Sequence, residues 1–319
     1  MPCLNEGRQV EVAYRELTEA LAEIDDLEIL FVDDGSTDDS LARIRGLARM
    51  DPRVNYLSFT RNFGLAAVEV AGFRYAAKEW TVQCDADLQV APTEIRRLLD
   101  KAAEGYDVVF GMRQGRKDPL VRKLGSFMLH WLAGRVFGID FPPGSSNFRV
   151  ARSSVARTVV DLGLSWFIPA VPLVGARYAL TPVSHRARTE GRSRLGLGKL
   201  TAYSLELFFG FSWRPLSAVY AMAAAGALLA AVLAIAGVAG AAGPALLGAG
   251  GVLLSGLTLG SVGLVARYLR RLMREAGGLR PYYIREASVP VRAADTLDGG
   301  PSWAPDQRER QAEPSAVTG

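Results

Sequence analysis

The segment Glu28-Ile-Leu-Phe-Val32 contains a continuous apolar run, and Asp33-Asp-Gly-Ser36 follows it directly. A short apolar run beside turn residues is typical of a strand buried on both faces, and a helical pattern follows at 37–48. The same alternation of short apolar strands and helical segments continues at 54–59, 64–78, 80–84, 92–104 and 106–110. The sequence therefore predicts an α/β fold with a mostly parallel sheet and helices on both faces.

The first strand of such a sheet is nearly missing. Met1-Pro-Cys-Leu-Asn5 leaves little room for it before the helix that we predict at about 7–23. A central strand supplies backbone hydrogen bonds to both neighbours, and its absence would leave polar groups unpaired in the core. We therefore expect the natural gene to encode several more residues upstream, forming an apolar strand that ends at Pro2.

A long uncharged stretch lies in the C-terminal third. The 52 residues from Pro215 to Ala266 contain no Asp, Glu, Lys, Arg or His. About 20 residues cross a bilayer once, so this length predicts two spans, with a turn at Gly240, Gly243 and Pro244. A helical hairpin buried in a large core is the alternative. A purely soluble enzyme is disfavoured.

Basic residues flank the two predicted spans, and the turn between the spans carries no charge. This asymmetry predicts that both termini are cytoplasmic, and no secretory signal is visible at the start. We expect a multi-pass protein of a bacterial plasma membrane. The flanking residues are Lys199, Arg214, Arg267, Arg270, Arg271 and Arg274.

Several function classes are disfavoured by what the sequence lacks. Cys3 and Cys84 fit no disulfide or zinc pattern. A net charge of only +4 does not indicate nucleic-acid binding, so we predict no nucleic-acid partner. A homo-oligomer and a monomer are both compatible with the sequence. No GxGxxG motif follows a strand, which argues against a dinucleotide oxidoreductase, and the glycines at 196–201 lack P-loop spacing.

Two acidic clusters follow predicted strands. Asp33-Asp34 directly follows one strand, and Asp85-Ala-Asp87 directly follows another. Ligands bind beyond the carboxyl ends of the strands in open parallel sheets. Carboxylates without a His or Cys cluster favour Mg²⁺ or Mn²⁺ bridging phosphates. The alternative for each cluster is an Asp-rich turn that caps the next helix.

Five motifs occur in a fixed order along the chain, namely Asn5-Glu6, Asp33-Asp-Gly-Ser36, Arg61-Asn-Phe-Gly64, Asp85-Ala-Asp-Leu-Gln89 and Phe148-Arg-Val150. As a set they resemble family 2 glycosyltransferases of the dolichyl- or polyprenyl-phosphate sugar synthase type, over about residues 2–270. The resemblance implies a GT-A catalytic domain. It also implies inverting transfer of a sugar from a nucleotide diphosphate sugar to a polyprenyl phosphate at the cytoplasmic membrane face.

The resemblance also implies roles for individual residues. Asp87 would hold the Mg²⁺ or Mn²⁺ ion, with Asp85 beside it, and Asp87, Asn147 and Arg149 would be catalytic. The residues that would bind the nucleotide sugar are Pro2, Glu6, Asp33, Asp34, Asp85, Arg61 and Asn62. Those that would hold the acceptor phosphate or the diphosphate are Arg122, Lys123, Arg186, Arg188, Ser193 and Arg194. The alternative for the basic segment 186–194 is binding of anionic lipid headgroups.

Asn147 departs from the family pattern, because many relatives carry an Asp before Phe-Arg. Asn cannot act as a base, which a hydroxyl acceptor would need. A phosphate monoester has a second pKa of about 6 and arrives largely deprotonated at neutral pH. Asn147 is therefore compatible with a lipid phosphate acceptor. The alternatives are a membrane-bound transferase acting on a glycan or lipid hydroxyl, and a non-catalytic protein on the same scaffold.

The remaining expectations concern segment boundaries. The amphipathic stretch at 120–137 lies in the membrane interface or forms a packed core helix. After Pro290 the chain is rich in Pro, Gly and charge, which predicts disorder. The predicted segments are a catalytic domain at 1–165, a juxtamembrane acceptor segment at 166–214, two transmembrane helices at 215–266, a basic cytoplasmic segment at 267–289 and a disordered tail at 290–319.

Overall fold

The computed structural model describes residues 1–113, 125, 128–140, 142, 144–163, 166–184, 204–205, 207–241, 243–276 and 280–296. The chain forms two compact units. The first contains the described residues of 1–119, 142–194 and 280–319. The second contains those of 120–141 and 195–279.

The first sheet of the first unit contains the strands β1 (Pro2–Cys3), β2 (Ile29–Asp33), β3 (Val54–Phe59) and β8 (Ile284–Ala287). Their order across the sheet is β1-β2-β3-β8. The strands β1, β2 and β3 are parallel, and β8 is antiparallel to β3. All five residues of β2 are buried, as expected for a strand covered on both faces.

Alternate residues of β2 point to opposite sides of the sheet, so its apolar side chains form two faces, and helices cover both. Ile29 and Phe31 belong to a core cluster that includes apolar residues of α1 (Gly7–Ala20) and α2 (Ser40–Met50). Leu30 and Val32 belong to a second cluster, which includes Ala67, Val68 and Ala71 of α3 (Leu65–Tyr75).

The second sheet of this unit contains the strands β4 (Trp80–Gln83), β5 (Val108–Arg113), β6 (Ser145–Arg152) and β7 (Tyr178–Val183). Their order across the sheet is β4-β6-β5-β7. The helices of this part are α4 (Glu94–Ala103), α5 (Ser153–Asp161) and α6 (Phe167–Leu173). Strand β6 is antiparallel to both β4 and β5, whereas β5 and β7 are parallel.

The α/β class is confirmed, but the sheets are mixed rather than mostly parallel. Three of the six pairings between the described strands are antiparallel. They involve β6 and β8, which are reached through long connections rather than through a single crossover helix. The βαβα alternation of residues 28–110 constrains the direction of its own strands, but not that of strands added later along the chain.

The predicted shortness of the first strand is confirmed. Only Pro2 and Cys3 pair with β2, opposite Val32 and Asp33. A cavity of about 430 Å³ lies beside them, lined largely by apolar side chains of β2, β4 and the neighbouring helices. The buried Met1 ammonium donates to the Leu30 carbonyl at 2.7 Å, and burial lowers its pKa. The upstream strand stays a prediction.

Gly72 of α3 lines this cavity, and we expect Gly72→Ala to stabilise the protein by about 1–1.5 kcal/mol. An added Cβ would meet Val32 Cγ2 at 3.7 Å, an ordinary contact, and Ala also favours the helix. Gly46→Ala in α2 is the matched control, since its Cβ would touch nothing within 4 Å. The control should gain only the helix-propensity part, about 0.5–1 kcal/mol. A lower thermal unfolding midpoint for Gly72→Ala than for the parent would contradict this prediction.

In the second unit, the described residues 128–131 are helical and lead into a π-helical turn, Leu132–Phe137. The turn ends at Gly138, which has a φ of +66° and whose Cβ would lie 2.7 Å from the Arg214 guanidinium. Arg214 donates to the carbonyls of Arg135 and Val136. Apolar side chains of this stretch are exposed, which favours the interfacial interpretation over a packed core helix. They are Met128, Trp131 and Val136.

Two long apolar helices complete the second unit, α7 (Arg214–Val238) and α8 (Pro244–Ala276). Their candidate spans, Arg214–Val238 and Pro244–Arg270, have mean hydropathies of 2.3 and 1.7. No residue of α7 is buried. A helix that is apolar all round and yet exposed is not a soluble core element, so the buried-hairpin alternative is wrong and the helices are suited to a bilayer.

The segment after α8 differs from the prediction. Helix α8 continues to Ala276, and residues 280–296 return to the first unit, where β8 pairs with β3. Tyr282 is fully buried, and Asp295 is buried within a short 3₁₀ turn, Ala293–Asp295. The boundary at 290 was therefore wrong, because the average composition of 290–319 hides the packing of Val291 and the burial of Asp295 and Thr296. Residues 297–319 lie outside the described residues.

Candidate active site

Asp33 is the last residue of strand β2 and Asp34 follows it, and both are buried. Asp33 accepts a hydrogen bond from the Ser36 amide at 3.1 Å and another from the Ser58 hydroxyl at 2.7 Å. These two bonds tie the turn after β2 to the neighbouring strand β3. Asp33 thereby fixes the shape of the loop that follows it.

Asp34 connects the end of β2 to the loop after β3. One carboxylate oxygen accepts from the Phe63 amide at 2.7 Å and the other from the Gly64 amide at 2.9 Å. Burial raises the pKa of Asp34, and the two amides act in the opposite direction. The two loops are in close contact at Gly35, which has a φ of +71° and whose Cβ would lie 2.5 Å from the Arg61 backbone. Only glycine fits there.

The chain before α1 joins the same cluster. The side-chain oxygen of Asn5 accepts from the Thr37 amide at 2.8 Å, and the Asn5 amide donates to the Ser36 hydroxyl at 3.0 Å. The Glu6 amide donates to the Ser40 hydroxyl at 2.9 Å. The structure therefore gathers most of the predicted nucleotide-sugar residues at one edge of the first sheet, namely Pro2, Glu6, Asp33, Asp34, Arg61 and Asn62.

Arg61 and Asn62 are exposed at this edge. The Arg61 guanidinium lies 4.0 Å from the centre of the Phe63 ring and donates to the Asn62 carbonyl at 2.9 Å. An exposed guanidinium held beside a ring remains able to pair with a phosphate oxygen, for which its donor geometry is well suited. The loop is therefore suited to an anionic ligand.

Asp85 and Asp87 follow strand β4 in a tight turn, in which Leu88 has a positive φ of 46°. The Asp87 carboxylate accepts from the Gln89 backbone amide at 3.3 Å and from its side-chain amide at 2.7 Å. Both carboxylates are half-buried. The Asp87 carboxylate is therefore held in a defined orientation by its own loop.

These two carboxylates fit a magnesium or manganese ion. Within the described part of the chain, no group of three or more His, Cys, Asp or Glu side chains is arranged to hold a metal. Mg²⁺ is commonly bound by only one or two carboxylates, with substrate phosphates and water supplying the other ligands. The donor set at Asp85 and Asp87 matches that kind of site.

Asn147 and Arg149 lie on β6, where Arg149 pairs with Gln83 of β4. Asn147 is half-buried, whereas the Arg149 side chain is only 1% exposed. The Arg149 guanidinium forms an ion pair with Glu69 at 2.9 Å and donates to the Gln83 side chain. Its carbon also lies 4.1 Å from the centre of the Phe167 ring. The predicted catalytic arginine is thus committed to partners within the core.

The electrostatics of Arg149 link it to the acidic turn. Burial lowers the pKa of Arg149, while the charges of Glu69 and Asp85 act to raise it. Sequence reasoning missed Glu69 and Gln83 as members of this group. A signal for Glu69 was present, because it is the only charged residue in the apolar helical stretch Leu65–Phe73.

The residues predicted to hold the acceptor phosphate or the diphosphate lie outside the described residues. Their roles stay predictions. They are Arg122, Lys123, Arg186, Arg188, Ser193 and Arg194.

Comparison with known proteins identifies relatives of this chain. Residues 1–151 match the model of the family described as glycosyl transferase family 2. The chain is 31% identical to the uncharacterized glycosyltransferase YkcC of Bacillus subtilis, across 91% of this chain and 93% of that protein. It is 36% identical to an undecaprenyl-phosphate 4-deoxy-4-formamido-L-arabinose transferase of Edwardsiella ictaluri, across 63% of each chain.

A solved structure with a similar course of the chain is a mannosyltransferase from Pyrobaculum calidifontis, in complex with GDP-Man and Mn²⁺. It covers 83% of this chain and 85% of its own, with 18% sequence identity and a TM-score of 0.45.

The family match covers the part of the chain that carries the acidic loops, and the similarity to YkcC extends over the apolar helices as well. The expected GT-A catalytic domain and glycosyltransferase activity are thereby confirmed, with mixed sheets in place of a mostly parallel one. The chain belongs to glycosyl transferase family 2.

Proposed function

We propose that this glycosyltransferase moves a sugar from a nucleotide diphosphate sugar to a polyprenyl phosphate at the cytoplasmic face of the membrane, inverting the anomeric centre. The observation that carries the proposal is that acidic loops follow strands β2 and β4 of a catalytic unit whose chain also contains two exposed apolar helices. The similarity to transferases named for undecaprenyl phosphate supports the acceptor class.

The donor would bind where the loops after β1, β2 and β3 meet. Asp34 and the loop Arg61–Gly64 are held together by two hydrogen bonds there, and the exposed Arg61 is available for the diphosphate. Asp87, with Asp85 beside it, would hold the Mg²⁺ or Mn²⁺ ion. Such an ion neutralises the charge that develops on a leaving diphosphate.

The reaction would be a single in-line displacement. An oxygen of the acceptor phosphate forms the new bond to the anomeric carbon as the bond to the nucleotide diphosphate oxygen breaks. The acceptor oxygen needs no base because the phosphate is already ionised, so Asn147 would only orient it by hydrogen bonding. The acceptor phosphate or diphosphate would be held by Arg122, Lys123, Arg186, Arg188, Ser193 and Arg194.

The proposal is tested by mass spectrometry of the lipid product. The full chain in detergent is supplied with Mg²⁺ or Mn²⁺, a panel of nucleotide sugars, and either polyprenyl phosphate or hydroxyl-bearing glycans and lipids. We expect a sugar to be added to polyprenyl phosphate alone. Product with hydroxyl acceptors alone would favour the glycan or lipid transferase. An absence of metal-dependent nucleotide-sugar binding would favour a non-catalytic protein.

The fold of the C-terminal segment supports a hairpin topology with both ends on one side. The chain passes from the first unit to the second before α7, and Arg280–Thr296 returns to the first unit after α8. A folded unit cannot be built from segments on opposite sides of a bilayer. The catalytic unit and both termini would therefore lie on the same side of the membrane. The flanking arginines favour the cytoplasmic side.

Cysteine labelling with a reagent that does not cross membranes tests this topology. We expect Gly243→Cys to be labelled from outside intact cells, and Ala294→Cys only after permeabilisation. The native thiols of Cys3 and Cys84 are buried, and burial raises the pKa of each to about 12, so their background labelling should be low. Labelling of Ala294→Cys in intact cells would contradict the hairpin.

A further inference from the structure

The segment that returns from the second helix, Arg280–Thr296, is called the return segment below, and it reaches the loop that carries the donor-site residues. The Thr60 amide donates to the Tyr283 carbonyl at 3.0 Å. The exposed Arg285 side chain donates to the Thr60 carbonyl at 2.8 Å. Both backbone polar groups of Thr60 are therefore held by the return segment at the point where β3 leads into the loop Arg61–Gly64.

Aromatic rings extend the contact from the core to the loop. The Tyr282 ring stacks on Phe59 with centroids 5.0 Å apart, and Phe59 meets Phe63 edge to face at 5.9 Å. The Tyr283 ring lies 6.2 Å from Phe63. Phe63 is thus held between a buried core ring and a ring of the return segment.

The far end of β8 is anchored separately. Glu286 accepts from Arg45 at 2.8 Å and from the Tyr56 hydroxyl at 2.6 Å. Burial acts to raise the pKa of Glu286, but these two partners outweigh it and lower the pKa below its ordinary value. Glu286 is therefore ionised at neutral pH, and its ion pair fixes the strand from which Tyr283 and Arg285 reach the loop.

The loop Arg61–Gly64, which the return segment supports, donates two backbone hydrogen bonds to Asp34. Because the Phe63 and Gly64 amides each bind one oxygen of that carboxylate, a shift of the loop would move both of these hydrogen bonds. We propose that Tyr283 and Arg285 are positioning residues for the nucleotide-sugar site, holding the loop Arg61–Gly64 against Asp34. This inference rests on the proposed function of that loop in donor binding.

The donor site is therefore completed by residues that follow the second apolar helix in the sequence. Three residues of sequence, 277–279, separate the end of α8 from Arg280. Strand β8, which pairs with β3 at the edge of the sheet, therefore lies between the apolar helix α8 and the donor loop. Donor affinity depends on this return segment, although none of its residues belongs to the family motifs.

The inference is tested by calorimetry on the full chain in detergent micelles, with UDP and GDP as probes in the presence of Mn²⁺. We expect the dissociation constant of the nucleotide that the parent binds to rise about five-fold in Arg285→Ala, as for loss of one charged hydrogen bond. Tyr283→Ala should weaken binding to a similar extent, and Tyr283→Phe should bind like the parent because ring and carbonyl remain.

Arg292→Ala is the matched control, because Arg292 is also an exposed arginine of the return segment. Its hydrogen bond to the Tyr75 hydroxyl is donated by the backbone amide, which the substitution keeps. It should bind like the parent. Turnover at saturating donor should change less than about two-fold in Arg285→Ala, since a positioning residue for the donor acts on binding. Arg285 is exposed, so this variant decides the matter even if Tyr283→Ala fails to fold.

Two failures can be told apart. If the parent binds neither nucleotide with Mn²⁺, the proposed function fails. If the parent binds and Arg285→Ala binds equally well, or loses turnover without losing affinity, then the return segment does not position the donor loop and the inference is wrong.

Discussion

Asp87→Asn is expected to lower divalent-dependent sugar transfer by about 100-fold or more. A ligand that neutralises charge on the leaving diphosphate contributes several kcal/mol to the transition state, and 100-fold corresponds to about 2.7 kcal/mol. Asn keeps one oxygen but loses the negative charge that attracts the cation. The measurement is initial rate against Mg²⁺ and Mn²⁺ concentration.

The fold should survive this substitution. Asp87 accepts two hydrogen bonds from Gln89, and an Asn side chain can still accept the backbone bond and exchange amide bonds with the Gln89 side chain. Asp100→Asn, at an exposed position of α4, is the control and should transfer sugar like the parent. Equal activity of Asp87→Asn and the parent at every metal concentration would remove Asp87 from the metal site.

The strands of the first half of the fold were predictable because burial on both faces leaves a clear pattern. Ile29–Asp33 forms β2 and Val54–Phe59 forms β3 in parallel, close to where the apolar runs placed them. Strand β8 was not predictable from such a pattern, since Ile284–Ala287 contains two charged residues. One of them, Glu286, is neutralised by Arg45 far away in the sequence, which no local pattern reveals.

The candidate site divides in the same way. The acidic turns were predictable because a strand end followed by a cluster of Asp residues is a local pattern, and the structure brings the first of them into contact with the loop Arg61–Gly64. The contacts that give the site its shape are long-range. They depend on tertiary packing that places Tyr283 beside Phe63 and Arg149 beside Glu69, and spacing along the chain contains no trace of either.

Arg149→Met is expected to destabilise the protein by about 3–5 kcal/mol, because it leaves the Glu69 carboxylate buried without its cation. For a domain of this size the thermal unfolding midpoint should fall by about 10 °C. Met fills much of the volume of the arginine stem, so the loss reflects charge rather than a cavity. Arg152→Met is the control, since the Arg152 side chain, in the same strand, is 41% exposed and its ion pair with Glu79 lies at the surface and contributes little.

The double variant Glu69→Gln with Arg149→Met should recover more than half of this loss, because no unpaired charge then remains in the core. The side-chain oxygen that remains after Glu69→Gln can still accept the hydrogen bond that Gln83 donates to Glu69 at 2.8 Å.

Sugar transfer by the double variant then separates two roles for Arg149. If the guanidinium only supports the strand that leads into Asp85, the refolded double variant should keep activity within about ten-fold of the parent, since the acidic turn is again well placed. If Arg149 contacts the substrate, as the family resemblance implies, activity should stay about 100-fold lower despite the recovered stability. We expect the first result, because the guanidinium is already occupied by Glu69, Gln83 and the Phe167 ring.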